Sequence, residues 1–87
     1  MRIAKSAAAE VGAFSIRVNA LAPGLIDTPM TAHLPEPLKA AARQAAALGR
    51  FGSPDEVADA ILFLCSPRSR YITGTVLRVD GGQCMGY

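Results

Sequence analysis

The sequence contains two short strand-like segments separated by a long, mostly helical stretch, and this order restricts the folds open to it. In residues 15–21 the apolar residues Ile16, Val18 and Ala20 alternate with polar ones, and residues 75–79 form a second run of this kind. Strands joined through helices run parallel with a right-handed crossover. The sequence therefore predicts an α/β fold of the doubly wound type.

Three segments carry the signals of helices. Residues 1–11 repeat apolar side chains at helical spacing and end at Gly12, and residues 37–48 are rich in alanine after a proline. A capping box with proline at the first helical position opens a third helix, predicted from Ser53 to Ser66. The predicted order is helix, strand, two helices, strand.

Two paired strands are marginal on their own, so this order predicts the edge of a larger sheet. Residues 1–87 are interpreted as one partial domain whose remaining strands are missing. The third helix is expected to bury Ile61, Leu62 and Leu64 against the sheet. Hydrophobic residues make up 51% of the chain and charged residues only 18%. This apolar excess predicts that part of the surface meets another segment or subunit, as in a homo-oligomer.

Composition argues against several other classes of protein. The net charge is +2, and Arg68 with Arg70 is too small a basic cluster to predict nucleic-acid binding. No apolar run reaches the length of a membrane span. Cys65 and Cys84 form no CxxC pair and stand with a single histidine, so no metal site is predicted. Two free thiols in a reducing cytoplasm are expected, with one disulfide as the alternative.

Three motifs occur in an order that resembles the short-chain dehydrogenase/reductase family, and they span nearly the whole chain. They are Ile16-Arg17-Val18-Asn19-Ala20-Leu21-Ala22-Pro23-Gly24, Gly49-Arg50-Phe51-Gly52-Ser53-Pro54-Asp55-Glu56 and Tyr71-Ile72-Thr73-Gly74-Thr75 continuing to Asp80-Gly81-Gly82. The chain is most similar in character to the 3-oxoacyl-acyl-carrier-protein reductases and corresponds to the last third of a typical member. The resemblance implies a Rossmann-like parallel sheet and an NAD- or NADP-dependent oxidoreductase that acts on a small carbonyl or alcohol substrate.

The resemblance also implies which residues meet the nicotinamide end of the cofactor. Pro23 and Gly24 would shape the turn after the first strand, the Ile26 backbone would bond the carboxamide, and Thr28 would contact the carboxamide or a nearby phosphate. Ligands of such sheets lie at the carboxyl ends of the strands, where this turn falls.

The segment from Met30 to Leu48 matches the part of the family that covers the substrate. Met30, His33 and Leu34 are the residues of this substrate lid that would face a substrate. His33 is interpreted as a solvated loop residue, because no nucleophile or carboxylate can be placed beside it from the sequence. Asp80 and Glu56 are interpreted as turn and capping residues.

No residue of this chain is assigned to catalysis. The family's reaction uses a tyrosine with a lysine four residues later and an upstream serine, whereas Tyr71 and Tyr87 have no such lysine. Lys5 matches a later position on the same helix, so the pair is expected just upstream of Met1. The isolated chain is expected to be inactive and to bind a dinucleotide weakly.

Two interpretations of the chain remain open. It is either a piece of a complete reductase or a free-standing non-catalytic protein that retains the family's oligomerisation surface. The missing part of the sheet favours the first.

Overall fold

The computed structural model describes residues 2–83, and the fold is a two-stranded parallel sheet flanked by helices. The elements are α1 (Arg2–Val11), β1 (Ala20–Pro23), α2 (Pro29–Ala32), α3 (Glu36–Ala45), α4 (Pro54–Cys65) and β2 (Val76–Val79), with 3₁₀ turns at Gly12–Phe14 and Pro67–Ser69. Ala20 pairs with Val76 and Pro23 with Val79. The predicted parallel pairing is confirmed.

The first strand begins later than predicted, at Ala20 rather than in residues 15–16. Ser15 closes the preceding 3₁₀ turn in the left-handed conformation, with φ of 60°, which is incompatible with a strand. After it, Val18 N donates to Thr73 Oγ1 at 3.1 Å and its carbonyl accepts from Gly74 N at 2.7 Å. Residues 16–19 are therefore joined to the segment before β2 partly through side-chain hydrogen bonds instead of a regular backbone ladder.

Arg17 and Asn19, which the sequence suggested were the polar side of a strand, hold the loop before β2. The Arg17 guanidinium donates to the Leu64 carbonyl at 2.8 Å and to the hydroxyl of fully buried Ser69 at 3.1 Å. The Asn19 side chain donates to the Ile72 carbonyl and accepts from Thr75 N, both at 3.1 Å. The Arg17 bond to Leu64 fastens the end of α4, and the Asn19 bonds fasten the loop before β2, to the segment that leads into β1.

Between the strands, the helices differ from the prediction in two places. The connection from Leu25 to Pro37 contains the short helix α2, and α3 ends at Ala45 rather than at Leu48. The earlier end follows from Ala47 N and Leu48 N, which donate to the Gly82 and Gly81 carbonyls at 3.3 and 2.9 Å instead of continuing the helix. The capping box of α4 is confirmed by the reciprocal bonds between Ser53 and Glu56.

The core is small. Within residues 2–83 the buried hydrophobic side chains are Ala4, Ala8 and Ala46. The prediction that α4 buries Ile61 and Leu62 is wrong, since they remain 48% and 66% exposed; Leu64 is half-buried. The physical reason is the size of the sheet, because two four-residue strands are too narrow to cover the apolar surface of a twelve-residue helix.

Helix α1 lies against Gly74, just before the start of β2. A Cβ placed on Gly74 would be 3.4 Å from Ala8 Cβ and 3.6 Å from Lys5 Cα, so the small residues allow the backbones to approach closely. Cys65 carries an exposed free thiol, and Cys84 lies outside the described residues. Of the helices within residues 2–83, none has the length and apolar character needed to cross a lipid bilayer.

Candidate functional site

The carboxyl ends of both strands meet at one edge of the sheet, where the predicted cofactor turn lies. Gly24 N donates to the Val79 carbonyl at 3.0 Å and keeps the turn in register with the end of β2. A Cβ on Gly24 would lie 2.8 Å from Asp80 Cβ and 2.9 Å from Asp80 Cα. Glycine is therefore required here by the adjoining Asp80 turn, which the sequence had not indicated.

Ile26 is held by a backbone bridge to Gly52. Asp27 N donates to the Gly52 carbonyl at 2.8 Å, and Gly52 N donates to the Leu25 carbonyl at 3.0 Å. The backbone groups of the intervening residue, Ile26, consequently point to the opposite side. Its carbonyl accepts from Thr31 Oγ1 at 2.8 Å, and its N–H has no partner among residues 2–83.

The hydroxyl of Thr28 caps helix α2. It accepts from Thr31 N at 3.3 Å, while Thr31 Oγ1 accepts from Thr28 N at 2.9 Å. Sequence reasoning missed Thr31, although a threonine three residues after a threonine, with proline between them, is a variant of the capping box. Thr31 joins Ile26 to Thr28, so the loop and helix α2 form one hydrogen-bonded unit.

The predicted lid residues fall on and after α2. Met30 is 85% exposed, and exposed His33 lies at the carboxyl end of the helix. Leu34 is half-buried, and its N–H donates to the Thr31 carbonyl at 3.1 Å. The structure thus brings Ile26 and Thr28 together in one loop and leaves Met30 and His33 at the surface beside it.

The turn at Asp80-Gly81-Gly82 contacts the end of the segment predicted to be the lid, at Ala47 and Leu48. Besides the backbone bonds to Ala47 and Leu48, a Cβ on Gly82 would lie 2.8 Å from Ala47 Cβ. Asp80 Oδ1 accepts from Gly82 N at 3.0 Å and shapes the turn. The turn contacts Gly24 on one side and Ala47 with Leu48 on the other.

Arg50 and Glu56 form a bidentate ion pair below the loop. Both donor–acceptor distances are 2.8 Å, and the side chains are 54% and 41% exposed. The hydrogen bond from Arg50, reinforced by Ser53 N, lowers the pKa of Glu56 to about 2. The pair fixes the Gly52 segment, to which Ile26 is bridged, against the start of α4.

The fold, and the edge at which the carboxyl ends of β1 and β2 meet, are those of the carboxy-terminal part of a Rossmann-like domain. A family model described as enoyl-(acyl carrier protein) reductase matches residues 1–83. The chain belongs to the short-chain dehydrogenase/reductase family, as the motifs predicted.

Curated relatives agree with this assignment. The chain is 54% identical over 78 residues to 3-oxoacyl-[acyl-carrier-protein] reductase of Thermotoga maritima, covering 90% of this chain and 32% of that protein. It is 45% identical over 80 residues to cis-4-hydroxycyclohexanecarboxylate dehydrogenase of Sinomonas cyclohexanicum, covering 92% and 32%. The chain thus spans about a third of the length of the curated relatives it matches.

Solved structures give the same result. The crystal structure of 3-oxoacyl-[acyl-carrier protein] reductase from Brucella melitensis superposes with a TM-score of 0.93 at 44% identity, covering 97% of this chain and 31% of that one. The arrangement of helices and strands described above is therefore that of the corresponding segment in a much longer protein.

The Arg50–Glu56 pair leads to a prediction about acid stability. It is measured in a covalent chimera, in which residues 2–83 replace the matching segment of the Thermotoga maritima enzyme. Folding lowers the pKa of Glu56 from 4.5 to about 2. The stabilisation by Arg50 is therefore complete above pH 4.5 and is lost as the pH falls toward about 2. The difference in urea midpoint between the parent and Arg50→Gln should shrink across that range.

The matched control is Arg68→Gln. Arg68 is exposed and forms no ion pair with the described carboxylates. The difference in urea midpoint between the parent and Arg68→Gln should therefore not change with pH. An Arg50→Gln difference that stayed constant as the pH was lowered would contradict the assignment.

Proposed function

We propose that this chain is the nicotinamide-side, carboxy-terminal part of an NAD(P)-dependent oxidoreductase that interconverts a carbonyl and an alcohol. The observation that carries the proposal is the Ile26 N–H, which has no partner among residues 2–83 and belongs to a loop leaving the carboxyl ends of two parallel strands. This is where such sheets bind ligands, and an amide donor suits the oxygen of a carboxamide.

The residues of the loop fit the nicotinamide end of a dinucleotide. The Ile26 N–H would donate to the carboxamide oxygen, and the Thr28 hydroxyl would contact the same carboxamide or a phosphate. Bound nicotinamide would supply or accept the hydride. Pro23 and Gly24 set the path of the loop. The Leu25 carbonyl, which shares a planar peptide group with the Ile26 N–H, accepts from Gly52 N and so keeps that N–H in one direction.

The lid segment is proposed to form the side of the site that the substrate approaches. Met30, His33 and Leu34 would line the approach of the substrate and exclude water from the reacting carbon. The 3-oxoacyl thioesters are the proposed substrate class, since relatives named for their reduction are 54% and 53% identical. Proton transfer is assigned to residues outside this chain. The intact protein is proposed to be a cytoplasmic homo-oligomer.

The covalent chimera tests this function. With a 3-oxoacyl thioester and reduced dinucleotide it should oxidise the cofactor, whereas the 87-residue chain alone should not. An inactive chimera that nevertheless unfolds cooperatively would overturn the proposal, because the fold would then be intact while the nicotinamide side was unsuitable.

Thr28 gives a sharper prediction in the same chimera. Thr28→Ala should raise the KM for the reduced cofactor by roughly 2–10-fold, the value of one hydrogen bond. Thr28→Ser keeps the hydroxyl, retains the cap on α2 and should restore most of the affinity. Steady-state kinetics at varied cofactor measures both, and an unchanged KM in Thr28→Ala would show that this hydroxyl only caps the lid helix.

A further inference from the structure

Three consecutive peptide groups, from Leu25 to Thr28, form the loop that carries the proposed cofactor contacts. Gly52 holds the first group through a bond from its N–H to the Leu25 carbonyl at 3.0 Å, and its own carbonyl holds the second by accepting from Asp27 N at 2.8 Å. The third group, between Asp27 and Thr28, is held by the hydroxyl of Thr31, which accepts from Thr28 N at 2.9 Å. Thr31 therefore supplies what the Gly52 bridge does not reach.

The single proton of the Thr31 hydroxyl has two acceptors within reach. The Ile26 carbonyl lies at 2.8 Å and the Thr28 carbonyl at 3.0 Å. The Thr28 carbonyl already accepts from Ala32 N at 3.0 Å, whereas the Ile26 carbonyl has no other partner within residues 2–83. The proton consequently goes to Ile26. One hydroxyl thus accepts from the third peptide group of the loop and donates to the second.

This double role explains why a hydroxyl suits position 31. The third residue of a capping box is often a glutamate, which accepts from the N–H of the residue that caps the helix. An ionised glutamate could accept from Thr28 N but has no proton to give to the Ile26 carbonyl. Thr31 therefore serves the loop as well as the start of the helix.

Helix α2 itself does not depend on the Thr31 hydroxyl. Its start is capped by Thr28 Oγ1, which accepts from the backbone N–H of Thr31 at 3.3 Å. Its end is closed by Lys39 Nζ, which donates to the Ala32 carbonyl at 2.9 Å. Because neither bond uses Thr31 Oγ1, loss of the hydroxyl should disturb the loop more than the helix.

We infer that Thr31 is a positioning residue for the cofactor. Its hydroxyl fixes the two peptide groups between Ile26 and Thr28, and with them the spacing between the Ile26 N–H and the Thr28 hydroxyl. The inference rests on the proposed function, in which these two groups meet the nicotinamide end of the dinucleotide. Thr31 does not touch the dinucleotide and acts through the loop.

The test is Thr31→Val in the covalent chimera. Valine keeps the size and branching of threonine and the backbone N–H that Thr28 caps, but it lacks the hydroxyl. The KM for the reduced dinucleotide should rise by roughly 2–10-fold, the value of one hydrogen bond. At saturating cofactor, kcat and the KM for the 3-oxoacyl thioester should change by less than about twofold, since ground-state binding of the cofactor is what is lost. Thr31→Ser keeps the hydroxyl and should restore the KM.

Thr73→Val is the matched control. The Thr73 hydroxyl also accepts from a backbone N–H, that of Val18 at 3.1 Å, but outside the loop and the lid. Urea unfolding should show similar destabilisation by the two valines, whereas Thr73→Val should leave the KM for the reduced dinucleotide unchanged. An unchanged KM in Thr31→Val, an equal rise in Thr73→Val, no recovery in Thr31→Ser, or loss of cooperative unfolding in Thr31→Val would each overturn the inference.

Fluorescence titration with NADH and NADPH separates this inference from the proposed function, because it measures binding without turnover. An active chimera whose dissociation constant is the same in Thr31→Val would overturn the inference alone. An inactive chimera whose dissociation constant rises in Thr31→Val and not in Thr73→Val would overturn the proposed function alone. A cooperatively folded chimera that binds neither dinucleotide would overturn both.

Discussion

The 87-residue chain alone should form oligomers, aggregates or a molten state in dilute solution instead of a cooperatively folded monomer. In the part of the chain that the structure describes, residues 2–83, the buried hydrophobic side chains are three alanines, and alanine contributes the least of the core residues to burial. Ordering the backbone costs roughly 1–2 kcal/mol per residue, which so small a core does not offset. Ile3, Phe14 and Leu62 add apolar surface that favours association, being 80%, 74% and 66% exposed.

Light scattering coupled to size exclusion, with a thermal scan by calorimetry, measures this directly. The covalent chimera is the control and should show one cooperative transition. A monodisperse monomer of the chain with its own cooperative transition would contradict the expectation and would favour the free-standing interpretation.

A series of glycine-to-alanine substitutions should produce the second large effect, in the covalent chimera. Gly82 combines a φ of 76° with a Cβ position 2.8 Å from Ala47 Cβ, so Gly82→Ala should destabilise by roughly 2–4 kcal/mol. Gly49 has a φ of 70° but open space around it, so Gly49→Ala should cost only about 1 kcal/mol. Urea unfolding measures both.

Gly12→Ala is the control for the series, because a Cβ there meets nothing within 4 Å and the backbone is not left-handed. Its effect should lie within about 0.5 kcal/mol of zero. Equal effects at Gly82 and Gly49 would show that the contact between the Asp80-Gly81-Gly82 turn and Ala47 is not tightly packed.

The parts of the fold that local chemistry determines could be predicted from the sequence. The start of α4 followed from a serine, a proline and a glutamate at capping positions, and the parallel pairing followed from helices between two strands. The family followed from three motifs, each longer than a turn.

The parts that long-range contacts determine could not be predicted. Helix α3 ends early because the distant glycine turn takes the N–H groups of Ala47 and Leu48, and no residue near position 45 indicates this. The role of Arg17 depends on Ser69, which is far away in sequence. The burial expected for Ile61 and Leu62 requires sheet that residues 2–83 do not contain.

The candidate site was predictable only in outline. The motif identified the loop that contains Ile26 and Thr28, and the structure adds that Thr31 connects them and that Gly52 aligns the backbone. Whether these residues bind a nicotinamide remains a prediction. The contact of Gly24 with Asp80 explains that glycine without reference to a ligand.

The DNA sequence immediately upstream of the codon for Met1 decides whether the chain is the carboxy-terminal part of a longer oxidoreductase. If the chain is the carboxy-terminal part of an oxidoreductase, an open reading frame should continue upstream and encode a tyrosine followed four residues later by a lysine, close to Met1. A serine and a glycine-rich turn should lie further upstream in the same frame. An in-frame stop codon directly before Met1, with a natural protein of 87 residues in the cell, would contradict the claim.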